Sequence, residues 1–255
     1  MDNRLFNLKG KTAYVLGGSG LIGTEIIRLL SQYNSKVINL DIKNNLKNKN
    51  YATFEKFDCS NLNLIELKLN KIFKRLNFPN IFINCSFPKT QDWSKNSFKK
   101  IKYYSFKKNL EMHLNSSAWI TKFVAQQMCR KKIKGSIIQT GSIYGLVGQD
   151  LNIYEKTKMT ENMSYSIMKG GITNFTRLAA SYFGKYGIRV NTVCPGGVED
   201  GKQEIKFLKN YKKRVPLKRL AKPREIACAY LFLSSEASSY ITGSSFIVDG
   251  GWTAI

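Results

Sequence analysis

The 255-residue chain has few of the features that build metal centres, disulfide frameworks or membrane spans. It has a single histidine, His113, and its five cysteines are scattered, with no Cys-x-x-Cys pair. We therefore expect no metal site and reduced thiols, as in a cytoplasmic protein. No run of eighteen apolar residues is present, and residues 1–6 lack the apolar core of a secretory signal. Neither a membrane span nor export is expected.

Acidic residues are also scarce: 17 Asp and Glu face 41 Lys and Arg, which gives a formal net charge of +24. A basic surface favours polyanions because binding releases counterions. However, the lysines are spread along the whole chain, and no basic arm, zinc finger or aromatic RNA-binding pattern accompanies them. Compositional drift and an anionic small-molecule substrate both explain the charge, and we expect no nucleic-acid partner.

A glycine-rich turn is the most informative motif present. The apolar run at residues 12–16 leads into Gly17, Gly20 and Gly23, and a helical pattern follows. Gly17 would allow the tight turn, Gly20 the close approach of a pyrophosphate, and Gly23 the packing of helix on strand. The free N–H groups at the helix start would bind an anion. An ordinary strand-to-helix turn is the alternative for this motif alone.

Short apolar segments alternate with amphipathic ones along the rest of the chain. No repeat, Pro-rich linker or low-complexity tract divides it. This pattern predicts a single α/β domain, a doubly wound parallel sheet with helices on both faces. Further strands are predicted at 36–41, 51–58, 80–84, 136–140, 188–193 and 245–249, and helices at 64–76, 106–130, 165–184 and 223–233.

Ligands of such sheets bind beyond the carboxyl ends of the strands, so residues that follow strands are candidates for the site. Asp41 ends the second strand, close to twenty residues after the glycine turn. A carboxylate there accepts hydrogen bonds from the ribose hydroxyls of an adenosine and repels a 2′-phosphate, which favours NAD over NADP. Lys43 would partly offset that repulsion. Asp58 follows the third strand and is a candidate acceptor for the adenine amino group; a plain surface turn is the alternative for Asp41.

Two Tyr-x-x-x-Lys pairs follow Ser142, which itself comes after the fifth strand. They are Tyr154 with Lys158, and Tyr165 with Lys169. Residues four apart share a helix face, so either phenol could meet its ammonium. Only the second pair opens an amphipathic helix, with Ser164 as the expected N-cap. The apolar stripe of that helix consists of Met168, Ile172, Phe175, Ala179 and Tyr182.

The chemistry of these residue types is that of proton exchange with an alcohol. A free tyrosine has a pKa of about 10, and the Lys169 ammonium together with a positive nicotinamide ring would lower that of Tyr165. Tyr165 could then take the proton of an alcohol, or return it in the reverse direction, while Ser142 holds the reacting oxygen. Asn115, in the long helix before the fifth strand, could organise a water between Lys169 and solvent. Each of these residues also has an ordinary structural interpretation.

In these motifs the chain resembles the short-chain dehydrogenase/reductase family over essentially its whole length. Further matches are Asn84, Asn191 with Pro195 and Gly196, and the closing residues 248–251. The resemblance implies one Rossmann-type domain over residues 1–255 with seven parallel strands, a nicotinamide cofactor, a catalytic set of Asn115, Ser142, Tyr165 and Lys169, and a homodimer or homotetramer. The cofactor-binding positions that it implies are Gly17, Ser19, Gly20, Leu21, Ile22, Gly23, Asp41, Asp58, Cys59, Asn84, Cys85, Ser86, Tyr165, Lys169, Pro195, Gly196 and Val198.

Two segments set this chain apart from the general family pattern. A polar insertion at 145–163, which includes Tyr154, would line the rim of the site and offer hydrogen bonds to a hydroxyl-rich substrate. With the glycine turn, it resembles a subgroup associated with flagellin modification and nonulosonic-acid (legionaminic-type) sugars. A lysine-rich substrate lid is expected near 197–218, where Gly197 and Lys202 are candidate substrate contacts. A basic lid would attract a phosphorylated or nucleotide-linked sugar, although a solvated helix face is the alternative.

The sequence therefore favours an NAD-linked enzyme that interconverts a secondary hydroxyl and a ketone on a sugar phosphate or nucleotide sugar. A 3-oxoacyl-[acyl-carrier-protein] reductase is the alternative enzyme, with the basic surface meeting an acidic carrier. Asp41 argues against it, since that reaction generally draws on NADPH. The alternative of another class is a non-catalytic cofactor sensor or nucleic-acid-binding protein on the same fold. The intact Ser142, Tyr165 and Lys169 argue against that.

Overall fold

A seven-stranded parallel sheet forms the centre of the computed structural model, which describes residues 5–255. Residues 1–4, on which part of the expectation about a secretory signal rests, lie outside the described residues. The strands are ordered β3-β2-β1-β4-β5-β6-β7, so the order reverses between β1 and β4. This confirms the doubly wound fold. The strands are β1 Thr12–Leu16, β2 Lys36–Asp41, β3 Thr53–Lys56, β4 Ile81–Asn84, β5 Gly135–Thr140, β6 Ile188–Pro195 and β7 Ser245–Val248.

Seven α-helices in the described part cover the sheet. Strand β1 shows why both faces need cover, because Tyr14 and Leu16 are buried on one face while Ala13 and Val15 are buried on the other. Helices α2, α4 and α5 cover the first face, and α1 and α7 cover the second. The helices are α1 Leu21–Gln32, α2 Ile65–Leu76, α3 Tyr103–Asn109, α4 Ser116–Arg130, α5 Met163–Phe183, α6 Ile205–Arg214 and α7 Pro223–Ser234.

The turn after β1 requires glycine at two positions. Gly17 has a φ of +79°, and a Cβ there would lie 2.6 Å from the backbone nitrogen of Ser86. A Cβ on Gly23 would lie 2.3 Å from the carbonyl oxygen of Gly17. Both contacts are too short for any side chain, so Gly17 allows the turn and Gly23 lets α1 pack onto it. Gly20 has only the Gly17 oxygen near its missing Cβ, at 3.2 Å.

Two local predictions were wrong. The helix predicted at 106–130 is divided into α3, a π-helical segment Leu110–Asn115, and α4. Helix α5 begins at Met163, and its N-cap is Asn162, whose side-chain oxygen accepts from the Tyr165 N–H at 3.0 Å. Ser164 is instead buried and donates to the Asn96 side-chain oxygen at 2.7 Å. Because the helix starts two residues before Tyr165, Ser164 lies inside its first turn.

The outer surface of the sheet's helical cover includes exposed apolar side chains on α4 and α5. Trp119 on α4 and Leu178 on α5 are 45% and 66% exposed, and the expected homodimer or homotetramer stays a prediction. Among the described helices, none combines the length and the apolarity that a membrane span requires.

Candidate active site

A cleft of about 720 Å³ opens at the carboxyl ends of β1, β2 and β4, beside the reversal in strand order. This is where a doubly wound sheet binds its ligand. Most of the predicted cofactor-binding residues line it. They are Gly17, Ser19, Gly20, Leu21, Ile22, Gly23, Asp41, Asp58, Cys59, Cys85 and Ser86.

Asp41 is held in a fixed orientation at this cleft. One carboxylate oxygen accepts from the Ser19 N–H at 3.0 Å and the other from the Ile42 N–H at 2.7 Å. Lys43 lines the same cleft, so the cleft contains both the carboxylate of Asp41 and the ammonium of Lys43. The arrangement fits a dinucleotide. The glycine backbone at the start of α1 is open to phosphates, and the Asp41 carboxylate can accept hydrogen bonds from a ribose.

Three asparagine side chains fix the glycine turn from behind, and sequence reasoning missed them. Asn48 donates to the carbonyl of Gly18 at 2.9 Å and Asn45 donates to that of Ser19 at 3.2 Å. Asn39 donates to the Ser19 hydroxyl at 3.0 Å. In a chain rich in asparagine these positions carry no distinct pattern. The one available signal is Asn39, a polar residue within a strand that is otherwise apolar.

The two thiols of the cleft are neutral. Burial raises the pKa of Cys59 to about 11 and that of Cys85 to about 12. The Cys85 thiol donates to the carbonyl of Leu16 at 3.1 Å. Both therefore contribute apolar lining and no negative charge.

Six of the predicted cofactor-binding residues do not line this cleft. Asn84 is buried, and its side-chain oxygen accepts from the Ser86 hydroxyl at 2.7 Å, so it positions a residue that does. Pro195 ends β6, and Val198 pairs with Ala221 in an isolated bridge. Also absent from the lining of this cleft are Tyr165, Lys169 and Gly196.

Ser142, Tyr165 and Lys169 converge where the cleft meets a second cavity. Ser142 follows β5, while Tyr165 and Lys169 are one turn apart on α5. The Lys169 ammonium donates to the carbonyl of Thr140 at 2.7 Å and lies 5.7 Å from the centre of the Tyr165 ring. Ser142 and Lys169 are 4% and 3% exposed. Tyr154, of the competing motif, donates to Gln149 instead.

Burial has the largest effect on the pKa values of Lys169 and Tyr165. It lowers the pKa of Lys169 from 10.5 to about 8. It also raises the pKa of Tyr165, against the hydrogen bond with the Ser142 hydroxyl, which lowers it. The expected lowering by Lys169 is therefore not found in the protein alone, because desolvation of the phenolate is the larger effect.

An aromatic wall causes this desolvation. The ring centre of Tyr165 lies 5.8 Å from that of Phe87, 6.3 Å from Trp93 and 6.4 Å from Tyr144, all edge to face. Sequence reasoning did not include these rings in the site. Phe87 directly follows the Asn84–Ser86 segment, and that position is the only signal that could have found it.

Asn115, predicted as a catalytic residue, lines neither the cleft nor the second cavity, and its catalytic role stays a prediction. Its side chain is exposed at the end of the π-helical segment, whereas His113, two residues earlier, is buried at 1% exposure. A π turn contains more residues than an α turn, so it changes which residues face inward. A count at α-helical spacing cannot anticipate that change.

The second cavity, of about 410 Å³, is built from the predicted insertion and lid. Tyr154 and Gly197 line it as predicted, together with Ser142, Tyr165 and Gly196. Lys202 does not line it: the residue is exposed and its N–H donates to Asp200. The lysines of the following helix α6 are also exposed, because its buried face is occupied by aromatic residues. Residues of the cavity that sequence reasoning missed are Phe87, Trp93, Lys158, Phe207 and Tyr211.

The lid and the insertion are tied to each other over this cavity. Arg214 of α6 pairs with Asp150 at 3.3 Å. Asn210 donates to the carbonyl of Glu155 at 3.0 Å, and Glu204 accepts from the Lys158 N–H at 3.0 Å. Both segments therefore act together as the cover of the site.

Comparison with known proteins agrees with this geometry. Residues 20–253 match the family described as enoyl-(acyl carrier protein) reductase. Post-translational flagellin modification protein A of Campylobacter coli is 29% identical, with 96% of this chain and 99% of that protein covered. The 3-oxoacyl-[acyl-carrier-protein] reductase FabG of Vibrio cholerae is 31% identical, with 96% and 98% covered.

A solved structure extends the likeness to three dimensions. The short-chain dehydrogenase of Leptospira borgpetersenii with bound NAD+ superposes with a TM-score of 0.86 at 30% identity, covering 99% of this chain and 96% of that one. The chain therefore belongs to the short-chain dehydrogenase/reductase family of NAD(P)-dependent oxidoreductases.

Proposed function

We propose that this protein interconverts a secondary hydroxyl and a ketone with NAD, using Tyr165 as the acid and base. The observation that carries the proposal is the convergence of Ser142, Tyr165 and Lys169 between a dinucleotide-sized cleft and a separate cavity. A pure binding protein has no need for a buried lysine beside a half-buried phenol, because both cost desolvation energy.

Each residue has a defined task in the oxidising direction. The glycine turn and Asp41 would hold the dinucleotide, whose nicotinamide when bound supplies the two-electron acceptor. Ser142 donates a hydrogen bond to the substrate oxygen, and Tyr165 takes the hydroxyl proton as the carbonyl forms. The ammonium of Lys169 stabilises the negative charge of the Tyr165 phenolate. In the reducing direction Tyr165 returns the proton.

The second cavity supports a sugar phosphate or nucleotide sugar as the substrate. Its polar side chains include Gln149, Glu161 and Asn162, which can pair with hydroxyl groups, and Lys158 adds a cation. Phe207 and the rings around Tyr165 add apolar faces. The flagellin-modification relative is in keeping with this class of substrate.

A turnover screen tests the proposal. Fructose 6-phosphate, glucose 6-phosphate and UDP-N-acetylglucosamine would each be offered with NAD or NADH, with absorbance of the reduced nicotinamide as the signal. We expect turnover with a phosphorylated or nucleotide-linked sugar and a higher KM for it in Lys158→Ala. Turnover confined to acetoacetyl-CoA with NADPH would instead support the carrier-protein reductase.

The choice of NAD over NADP is expected to depend on the charge of Asp41. Two charges 4 Å apart repel by about 1 kcal/mol in water and more near a protein surface, so Asp41→Ala should improve NADPH binding relative to NADH by roughly tenfold. Asp41→Asn is the matched control, because it removes the charge and keeps the size. Fluorescence titration of both cofactors gives the ratio. An unchanged ratio in both variants would assign the selectivity to another group.

A further inference from the structure

His113, the only histidine of the chain, is a buried base that the proposed function does not use. Its Nδ1 is fully buried and has no hydrogen-bond partner in the described part of the chain. The backbone of Pro88 raises the pKa of the imidazole, and the imidazole ring lies edge to face against Phe87, with the centres 5.1 Å apart. Because Nδ1 has no partner, we assign the proton to Nε2 and a lone pair to Nδ1.

Lys169, in contrast, has hydrogen-bond donors that lack acceptors. An ammonium has three N–H donors, and among residues 5–255 that of Lys169 has one acceptor, the carbonyl of Thr140. Its nitrogen lies 5.6 Å from the centre of the same Phe87 ring that contacts His113. A buried donor and a buried acceptor, each lacking a partner, therefore stand against one aromatic side chain.

The electrostatics couple these two groups. Burial lowers the pKa of His113 well below its ordinary value, and the charge of Lys169 lowers it further. The thiols of Cys85 and Cys194, which also act on Lys169, have raised pKa values and are neutral. Lys169 is the charged group that acts on the imidazole, and the neutral imidazole can only accept from it.

We infer that one buried water joins the Lys169 ammonium to His113, accepting a hydrogen bond from the ammonium and donating one to Nδ1. Leaving either buried group unpaired costs its desolvation energy, and a buried water commonly joins such groups. His113 is then a positioning residue that keeps Lys169 charged beneath Tyr165. His113 then has the positioning role that the sequence analysis predicted for Asn115. This inference rests on the proposed roles of Tyr165 and Lys169.

Nuclear magnetic resonance of the sole histidine tests the contact without any substrate. In tag-free, 15N-labelled protein, both ring nitrogens belong to His113 alone. We expect Nδ1 to be unprotonated at neutral pH and its resonance to move in Lys169→Met. Lys158→Met, the lysine of the other motif, is the matched control and should leave the resonance in place. A proton on Nδ1, or an unchanged resonance in Lys169→Met, would overturn the inference.

The effect on Lys169 is measured by titration of lysine side chains labelled at the ε-carbon. His113→Leu removes the acceptor and should lower the pKa of Lys169, with at least a tenfold rise in the neutral amine at a given pH. His113→Asn puts an amide oxygen at the position of Nδ1 and should restore the wild-type value. Asn115→Leu should also titrate like the wild type. An equal pKa of Lys169 in His113→Leu and in the wild type would reject the role of His113. A lowered pKa of Lys169 in Asn115→Leu alone would also reject it.

These readouts separate the inference from the proposed function. If Tyr165→Phe kept full turnover, the catalytic assignment would fail while the link between His113 and Lys169 could still be found. If His113→Leu does not fold, the comparison of wild type with Lys169→Met and the titration of His113→Asn still decide. NADH binding, followed by fluorescence, is expected to stay within about twofold of wild type in His113→Asn, and a larger loss would show that the residue supports the cleft instead.

Discussion

Tyr165→Phe is expected to lower turnover by roughly 10²–10⁴, the range that general acid–base catalysis contributes. The phenylalanine ring keeps the edge-to-face contacts with Phe87, Trp93 and Tyr144, so the site should retain its shape. Only the hydroxyl group that exchanges the proton is lost. NADH affinity, measured by fluorescence, should therefore change little, while turnover of the sugar identified in the screen should fall close to background.

Two other tyrosines serve as controls for this prediction. Tyr182 is on the same helix and 59% exposed, so Tyr182→Phe should match the wild type. Tyr154 loses one hydrogen bond to Gln149 on substitution, worth about 1 kcal/mol, so Tyr154→Phe should cost less than tenfold. A large loss in Tyr154→Phe together with an active Tyr165→Phe would transfer the catalytic role to the other motif.

The parts of this molecule that sequence reasoning predicted well depend on short-range order. Gly17 and Gly23 are adjacent to the strand and helix they join, and Asp41 directly ends a strand. The edge of a parallel sheet then brings such residues together whatever lies between them. Tyr165 and Lys169 are similar, because four residues along a helix fix their common face.

The errors arise where tertiary packing or an irregular helix decides the outcome. Asn115 and His113 differ by two positions, and in the π-helical segment the first is exposed while the second is buried. Lys202 has the charge that a phosphate needs, but it lies exposed before α6, and the buried face of that helix is occupied by Phe207 and Tyr211. Their packing against Trp252, near the far end of the chain, is a contact that local sequence cannot reveal.

Lys169→Met is expected to make the protein more stable and nearly inactive. Burial lowers the pKa of Lys169 from 10.5 to about 8, so the native state is destabilised by the charged ammonium at neutral pH. The shift corresponds to roughly 3 kcal/mol, of which the lost hydrogen bond to Thr140 returns about 1 kcal/mol. We expect a net gain of about 1–3 kcal/mol at pH 7 in urea unfolding, and a loss of turnover comparable to that of Tyr165→Phe.

The pH dependence of this gain identifies its cause. Between pH 8 and 10.5 the unfolded chain binds more protons at Lys169 than the folded chain, so the free energy of unfolding of the wild type rises with pH there. The advantage of Lys169→Met should therefore be full below pH 8 and disappear near pH 10.5. Lys158→Met, at an exposed lysine, should show no such gain. A variant that is less stable at pH 7, or whose advantage persists unchanged at pH 10.5, would show that the buried ammonium does not strain this fold. In that case the hydrogen bonds of Lys169 would fully offset the free-energy cost of burying its ammonium, and this catalytic group would not lower the stability of the fold.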